Sequence, residues 1–191
     1  MPQLKELMVE ELQGLLDAET QLTEALPKMA QAANHAKLKE AFERHLRQTE
    51  HHVERLRQVL GMLGETPEPK QCKAMAGLIE EGEEIIQEAS QKEALAADLS
   101  LIAAAQKVEH YEIASYGTVR GLARQLGEMD CARLLGHTLG EEESTDFLLT
   151  AISDPLIQQA TLEDQGAEVD LETVPSGAGE KRAARSKKTS K

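Results

Sequence analysis

The sequence predicts an all-α protein: a four-helix bundle with one additional short helix in its crossover. The composition is a helix-forming vocabulary, because aromatic residues make up only 2% and there is no Trp. A sheet would call for more Val, Ile, Thr and aromatic residues. Apolar residues recur at helical spacing through five segments. Short turns divide the first two long segments and the last two, whereas a long connection joins one pair to the other. The 191 residues suit one domain with an appendage and can bury a sizeable core.

The first segment runs from about Leu4 to Ala33, with Leu12, Leu15, Leu16, Glu19, Leu22 and Leu26 on one face. Pro27 should kink or loosen it, because proline removes a backbone donor and crowds the preceding turn. A break at Asn34 and His35 leads into the second helix, about Lys37 to Leu63, striped by Leu38, Phe42, Leu46, Thr49, Val53, Leu56, Leu60 and Leu63. The stretch "GETPEPKQ" ends it with Gly64 and two prolines. A short helix from about Cys72 to Ala89 carries Met75, Leu78, Ile79, Ile85 and Ile86. The fourth, about Glu93 to Leu126, is the long apolar one. The fifth, about Asp130 to Ala160, follows a turn at Gly127, with Asp130 as its expected N-cap. Short turns force the members of each long pair side by side, and the crossover lets the pairs pack together; this is the ferritin-like arrangement. Residues 3–160 form the expected domain. Residues 161–191 read as an acidic, then basic, disordered tail.

The formal charge of −13 argues against a general nucleic-acid binder. From Gly177 to Lys191, however, six Lys or Arg stand against one Glu, leaving about −18 on the rest. The tail reads as a solvated end, or as a weak contact for nucleic acid or an acidic partner. Cys72 and Cys131 lie far apart with no CxxC pattern, as reduced thiols of a cytoplasmic protein would. There is no N-terminal apolar stretch before a cleavage site and no run of 18 apolar residues, so neither secretion nor membrane insertion is expected. No GxSxG, P-loop or HExxH motif supports nucleophilic, nucleotide or zincin chemistry.

The chemistry lies in polar residues set into apolar stripes. Glu19 interrupts the stripe of the first helix; a bare carboxylate there would cost several kcal/mol, so it must reach solvent, find a partner or bind metal. In the fourth helix, "KVEHYEIASYG" places Glu109 and Glu112 at i and i+3 on one broad face. The fifth offers Glu142 and Asp146 between Leu135, Leu139 and Leu149, and the second offers Thr49 and His52, with His45 and Glu50 nearby. Their depths agree. Glu19 lies 16 positions before the first turn and His52 lies 17 after it, both about 24–26 Å away at about 1.5 Å per residue. Glu112 and Glu142 lie about 15 positions either side of the second turn, with Glu109 and Asp146 as a further layer. Four helices therefore bring candidate ligands to one level. His35, His51 and His137 read as ordinary solvent-facing or satisfied histidines, and so, with less force, does His45. Carboxylates with one or two imidazoles suit two ions of iron or manganese. Zinc structural sites favour Cys or more His, and calcium favours acidic loops.

At these residues the chain resembles a known family. "LLDAETQLTEALPKMA", "QCKAMAGLIEEG", "LIAAAQKVEHYEIASYG" and "TLGEEESTDFLLT" are similar to the YciE/YciF family of bacterial ferritin-like proteins, over about residues 3–155. The resemblance implies a ferritin-like bundle with an extra helix, a homodimer, an association with bacterial stress responses and a two-metal site. The usual di-iron pattern takes a Glu from each of two helices and Glu-x-x-His from each of the others. Glu19 and Glu112 fill the single places, but "TEHH" puts Thr49 where Glu is expected and "EEST" puts Thr145 where His is expected. Glu50, Glu109 and Asp146 are placed to compensate, and an altered site is implied.

Two functions stay open. One is a metal-dependent oxidoreductase, with Glu19, His52, Glu112 and Glu142 holding two Fe or Mn ions, Glu109 and Asp146 as extra ligands or proton acceptors, and Tyr116 as a nearby donor. Ferrous oxidation and peroxide removal are both compatible with it. The other is a non-enzymatic stress protein acting through partners around a degenerate site. Iron storage in a hollow shell is a third, weaker reading.

Overall fold

The computed structural model describes residues 2–89 and 91–164. Its elements are α1 (Pro2–Ala32), α2 (Ala36–Met62), α3 (Lys73–Ala89), α4 (Ala94–Leu126) and α5 (Met129–Asp164). The expected five helices are all present, with boundaries within a few residues. α5 runs on to Asp164, past the expected end at Ala160. The rest of the acidic-then-basic tail lies outside the described residues. α1 packs along α2 and α4 along α5, while α3 lies across α4 and α1. Among the described residues no helix is long and apolar enough to cross a membrane. Cys72 and Cys131 are free and buried.

The stops work as glycine stops do. Gly64 and Gly127 adopt φ of 76° and 80°, the left-handed region that costs glycine nothing. After each, the chain turns back: Glu65 N–H donates to the Leu60 carbonyl at 3.0 Å, and Glu128 N–H to that of Ala123 at 2.9 Å. These Schellman closures satisfy carbonyls that the helix ends leave without partners. α1 passes through Pro27 and α5 through Pro155 without a break in helix. Asp130 is not an N-cap: α5 already begins at Met129, so Asp130 sits in its first turn, where the helix dipole favours an acid.

One buried acid ties the two helical pairs together. Asp98 of α4 is 3% exposed. Its Oδ1 accepts the Asn34 amide and its Oδ2 the His35 amide, each at 2.8 Å. These amides would otherwise be orphaned at the α1–α2 turn. The contact fixes the depth of one pair against the other, on which the alignment of the site depends.

The core is divided. One apolar cluster contains Leu22, Leu26, Leu38, Phe42, Leu101 and Leu149, with neighbours on all five helices. The other contains Met8, Leu12, Leu56, Val119, Leu135 and Leu139, from the four long helices. Along each long helix the passage from one cluster to the other crosses a buried polar step: Glu19 on α1; His45, Thr49 and His52 on α2; Glu109 and Glu112 on α4; Glu142 and Thr145 on α5. The two apolar halves thus seal a polar layer between them.

Candidate metal centre

The polar layer is buried. Glu19, His52, Glu112 and Glu142 are all 0% exposed, and His45 and Glu109 are 2% exposed. The alternative in which Glu19 reaches solvent from the edge of its stripe is therefore ruled out. Two groups of side chains converge here and share Glu142. Glu19, His52 and Glu142 make one; His45, Glu109, Glu112 and Glu142 make the other. Within each group the offered ligand atoms lie within 4.8 Å of one another.

The histidines aim one nitrogen into the site and anchor the other outside it. His52 Nδ1 lies 2.8 Å from Glu142 Oε1 and 3.3 Å from Glu19 Oε1. Its Nε2 meets Glu141 Oε2 at 3.1 Å, and Arg55 donates to the same oxygen at 2.8 Å. His45 Nε2 lies 3.3 Å from Glu109 Oε1 and 3.5 Å from Glu142 Oε2. Its Nδ1 lies 3.3 Å from Thr145 Oγ1, which in turn donates to the Glu141 carbonyl at 3.1 Å. An imidazole whose outer N–H is held by a carboxylate or a hydroxyl presents a lone pair inward, the usual support of a metal-binding histidine. Thr145, standing where His is usual, thus serves as the outer partner of His45. Tyr116, fully buried, donates to Glu19 Oε1 at 2.5 Å.

What the inner atoms lack is equally informative. Among the described residues, Glu19 Oε2, His45 Nε2, His52 Nδ1, Glu109 Oε2 and both oxygens of Glu112 and of Glu142 have no aligned hydrogen-bond partner. Close approaches such as the 2.8 Å between His52 and Glu142 bring the atoms together without pointing an N–H at an oxygen. Buried polar atoms are nearly always satisfied, and each one left bare costs about 1–3 kcal/mol, more when charged. Donor atoms that crowd one space and meet one another only in ion-pair contacts without aligned hydrogen bonds fit a cation at the common point. Two divalent ions would balance the charge of Glu19, Glu109, Glu112 and Glu142, leaving both imidazoles neutral.

The protonation of the metal-free site follows. Burial, reinforced by the neighbouring carboxylates, holds Glu109 and Glu112 well above the usual carboxylate range. Burial also raises Glu19, although contacts with His52 work against it. Burial disfavours charge on His52, but Glu142 and Glu19 outweigh it and push the ring up to about 10. His45 is lowered, chiefly by burial. Burial opposes ionisation of Glu141 too, yet Arg55 prevails and lowers it. In the metal-free protein the His52 proton and protons shared among the acids thus supply the positive charge the layer needs.

Of the residues named from sequence, Glu19, His52, Glu109, Glu112 and Glu142 are brought together and Asp146 is not. Asp146 Oδ1 accepts from Gln106 Nε2 at 3.0 Å and faces His110. The inward face of α5 steps through Thr138, Glu142, Thr145, Leu149, Ile152 and Leu156, so the i+3 position turns in and the i+4 position turns aside. Glu50 is exposed and compensates for nothing. His45 is the residue whose place sequence reasoning underrated. Its signal was the four-three spacing of Leu38, Phe42, His45, Thr49, His52, Leu56 and Val59, all buried.

Comparison with known proteins agrees with this architecture. The family profile described as "Domain of unknown function (DUF892)" matches residues 3–162. Protein YciF of Escherichia coli (strain K12) is 45% identical over 154 residues, covering 80% of this chain and 92% of its own. The crystal structure of the E. coli stress protein YciF superposes with a TM-score of 0.78 at 43% identity, over 83% of this chain and 99% of that one. YcfI from Rhodopseudomonas palustris gives a TM-score of 0.73 at 37% identity, over 77% and 92% of the two chains. With matches of this extent, the chain belongs to the YciE/YciF family of bacterial ferritin-like proteins.

Proposed function

We propose that the chain is a redox protein that holds two iron or manganese ions in the sealed polar layer, in the stress setting that its E. coli relative's description names. The observation that carries this reading is the set of buried donor atoms from four helices that converge without aligned hydrogen bonds. Glu19 and His52 would hold one ion, His45, Glu109 and Glu112 the other, and Glu142, common to both groups, would contribute to each. Bound Fe or Mn would supply one-electron chemistry toward dioxygen or peroxide. The chain's own residues do the rest. Apolar clusters on both sides exclude bulk water, and Glu141 with Arg55 fixes the His52 ring. Tyr116 holds the Glu19 carboxylate by donating to it; its own proton is retained, because burial and the Glu19 charge push the phenol well above its ordinary value.

A second reading, a non-enzymatic stress protein whose altered site only braces the bundle, draws on Thr49, which brings a hydroxyl where the usual pattern has a carboxylate. Anaerobic titration of the chelator-treated protein with Fe(II), followed by air, separates the two. The redox reading expects two tightly bound ions per chain and a ferric near-ultraviolet absorption that grows once air is admitted. Binding without oxidation would favour the second reading, and absence of both would remove the metal from the account.

A further inference from the structure

Beside the second group of ligands lies a cavity of about 40 Å³, about three times the 10–15 Å³ that one water-sized sphere requires. Its walls are mainly hydrocarbon, with Leu22, Leu26, Leu78, Ile86, Ala105 and Val108 among them. At its inner end stand His45 and Glu109, two residues of the centre. At its rim stand Lys28 of α1 and Glu83 of α3, both about half exposed and joined by an ion pair of 2.6 Å. α3, the helix beyond the basic four, roofs the space with Leu78, Ile79 and Ile86, and Gly82 leaves a gap there. A Cβ built at Gly82 would meet nothing within 4 Å.

We propose that this cavity is the entry and holding site for dioxygen, roofed by α3 and delivering the gas to the His45–Glu109 side of the centre. This rests on the redox reading above and narrows its co-substrate. The space suits a diatomic molecule and is too small for an organic substrate. Hydrogen peroxide would have to give up its hydrogen bonds to water between hydrocarbon walls, at a cost that dioxygen, which makes none, does not incur. The apolar lining faces the interior, while the charged pair sits at the mouth. The two features together make a filter for a small apolar gas rather than a path for ions. Iron or manganese would need another way in, or an opening of the α1–α3 contact.

Xenon serves as the probe, because apolar cavities of this kind stay dry and take it up. Metal-free full-length protein is titrated with xenon, followed by 129Xe NMR and by crystals under xenon pressure. One saturable site between α1, α3 and α4 is expected in the native chain and in Gly82→Ala, which leaves most of the space open. Gly82→Leu should abolish it by filling the gap. In the same Gly82→Leu protein Fe(II) should bind with unchanged stoichiometry, while its oxidation by dissolved dioxygen slows roughly tenfold or more. Ala105→Leu, on the opposite wall, supplies a second plug if Gly82→Leu folds poorly.

Absence of saturable xenon in the native protein would overturn the proposal. So would oxidation by dioxygen at the native rate in a variant that has lost xenon. Because xenon is read without metal, failure of iron to bind would count against the redox reading alone, and the xenon titration would still decide the cavity.

Discussion

Replacing Glu112 with Leu is expected to raise the melting temperature of the metal-free protein and to remove the part of the metal stabilisation that comes from the second ligand group. Glu112 is fully buried, and neither of its oxygens has a hydrogen-bond partner among the described residues. It can remain in the metal-free protein only by keeping a proton, and as a neutral acid it still leaves polar atoms bare. A leucine of similar volume would meet Val108 on the turn before it and the fully buried Tyr116 on the turn after. Replacing buried ionisable groups with hydrocarbon has stabilised other proteins by about 1–4 kcal/mol, and removing a bare neutral acid acts in the same direction. In a bundle of this size that corresponds to an upward shift of roughly 3–12 °C. Excess Mn(II) should then raise the native protein's melting temperature and raise that of Glu112→Leu by clearly less, because only the group of Glu19, His52 and Glu142 keeps all its ligands. If the layer were a satisfied polar network instead, the same substitution would break it and lower stability. Differential scanning calorimetry with and without Mn(II) gives the sign.

The second large effect is in pH. Glu19, Glu109 and Glu112 have folded-state values raised above the ordinary 4.5. An acid of that kind favours the folded state while protonated and costs stability as pH rises through its folded value. His52 is raised from 6.5 to about 10, so its contribution is complete below 6.5 and disappears as pH climbs toward 10. His45, lowered from 6.5, acts the other way and costs stability as pH falls through its folded value. Above the ordinary histidine value only losses remain. The melting temperature of the metal-free protein should therefore fall steadily from about pH 6.5 to about pH 9. Metal binds the deprotonated ligands, so stabilisation by Mn(II) should grow over the same range and flatten or reverse the slope. A metal-free profile that is flat or rising across this window would contradict the assigned protonation states.

These expectations show what the sequence could and could not disclose. The bundle was legible because the stripes of α1, α2, α4 and α5 are long, and because Gly64 and Gly127 mark stops that glycine alone makes without strain. Glu19, His52, Glu112 and Glu142 were legible because depth along paired antiparallel helices follows from counting residues to the turn. Rotation about the helix axis is harder. Between Thr145 and Asp146 chemical type favoured the acid, whereas packing turned the threonine inward to meet His45. His45 looked ordinary taken singly, and only the seven-residue step to His52 puts both rings on one seam. The clamp of Arg55 on Glu141 and the Asp98 tie to the α1–α2 turn join residues far apart in the chain. They depend on how the helical pairs dock, which periodicity does not encode.

The pH and substitution experiments share one premise: carboxylates from separate helices enclose places for two cations. Electron paramagnetic resonance of a Mn(II) titration into chelator-treated protein reads that premise directly, since the sharp signal of free Mn(II) is lost on binding. The account predicts that two equivalents per chain disappear from the free signal, and that Glu142→Ala, which removes the carboxylate common to both groups, restores at least one of them. Free-ion signal rising from the first addition, or binding that is indifferent to Glu142, would contradict it.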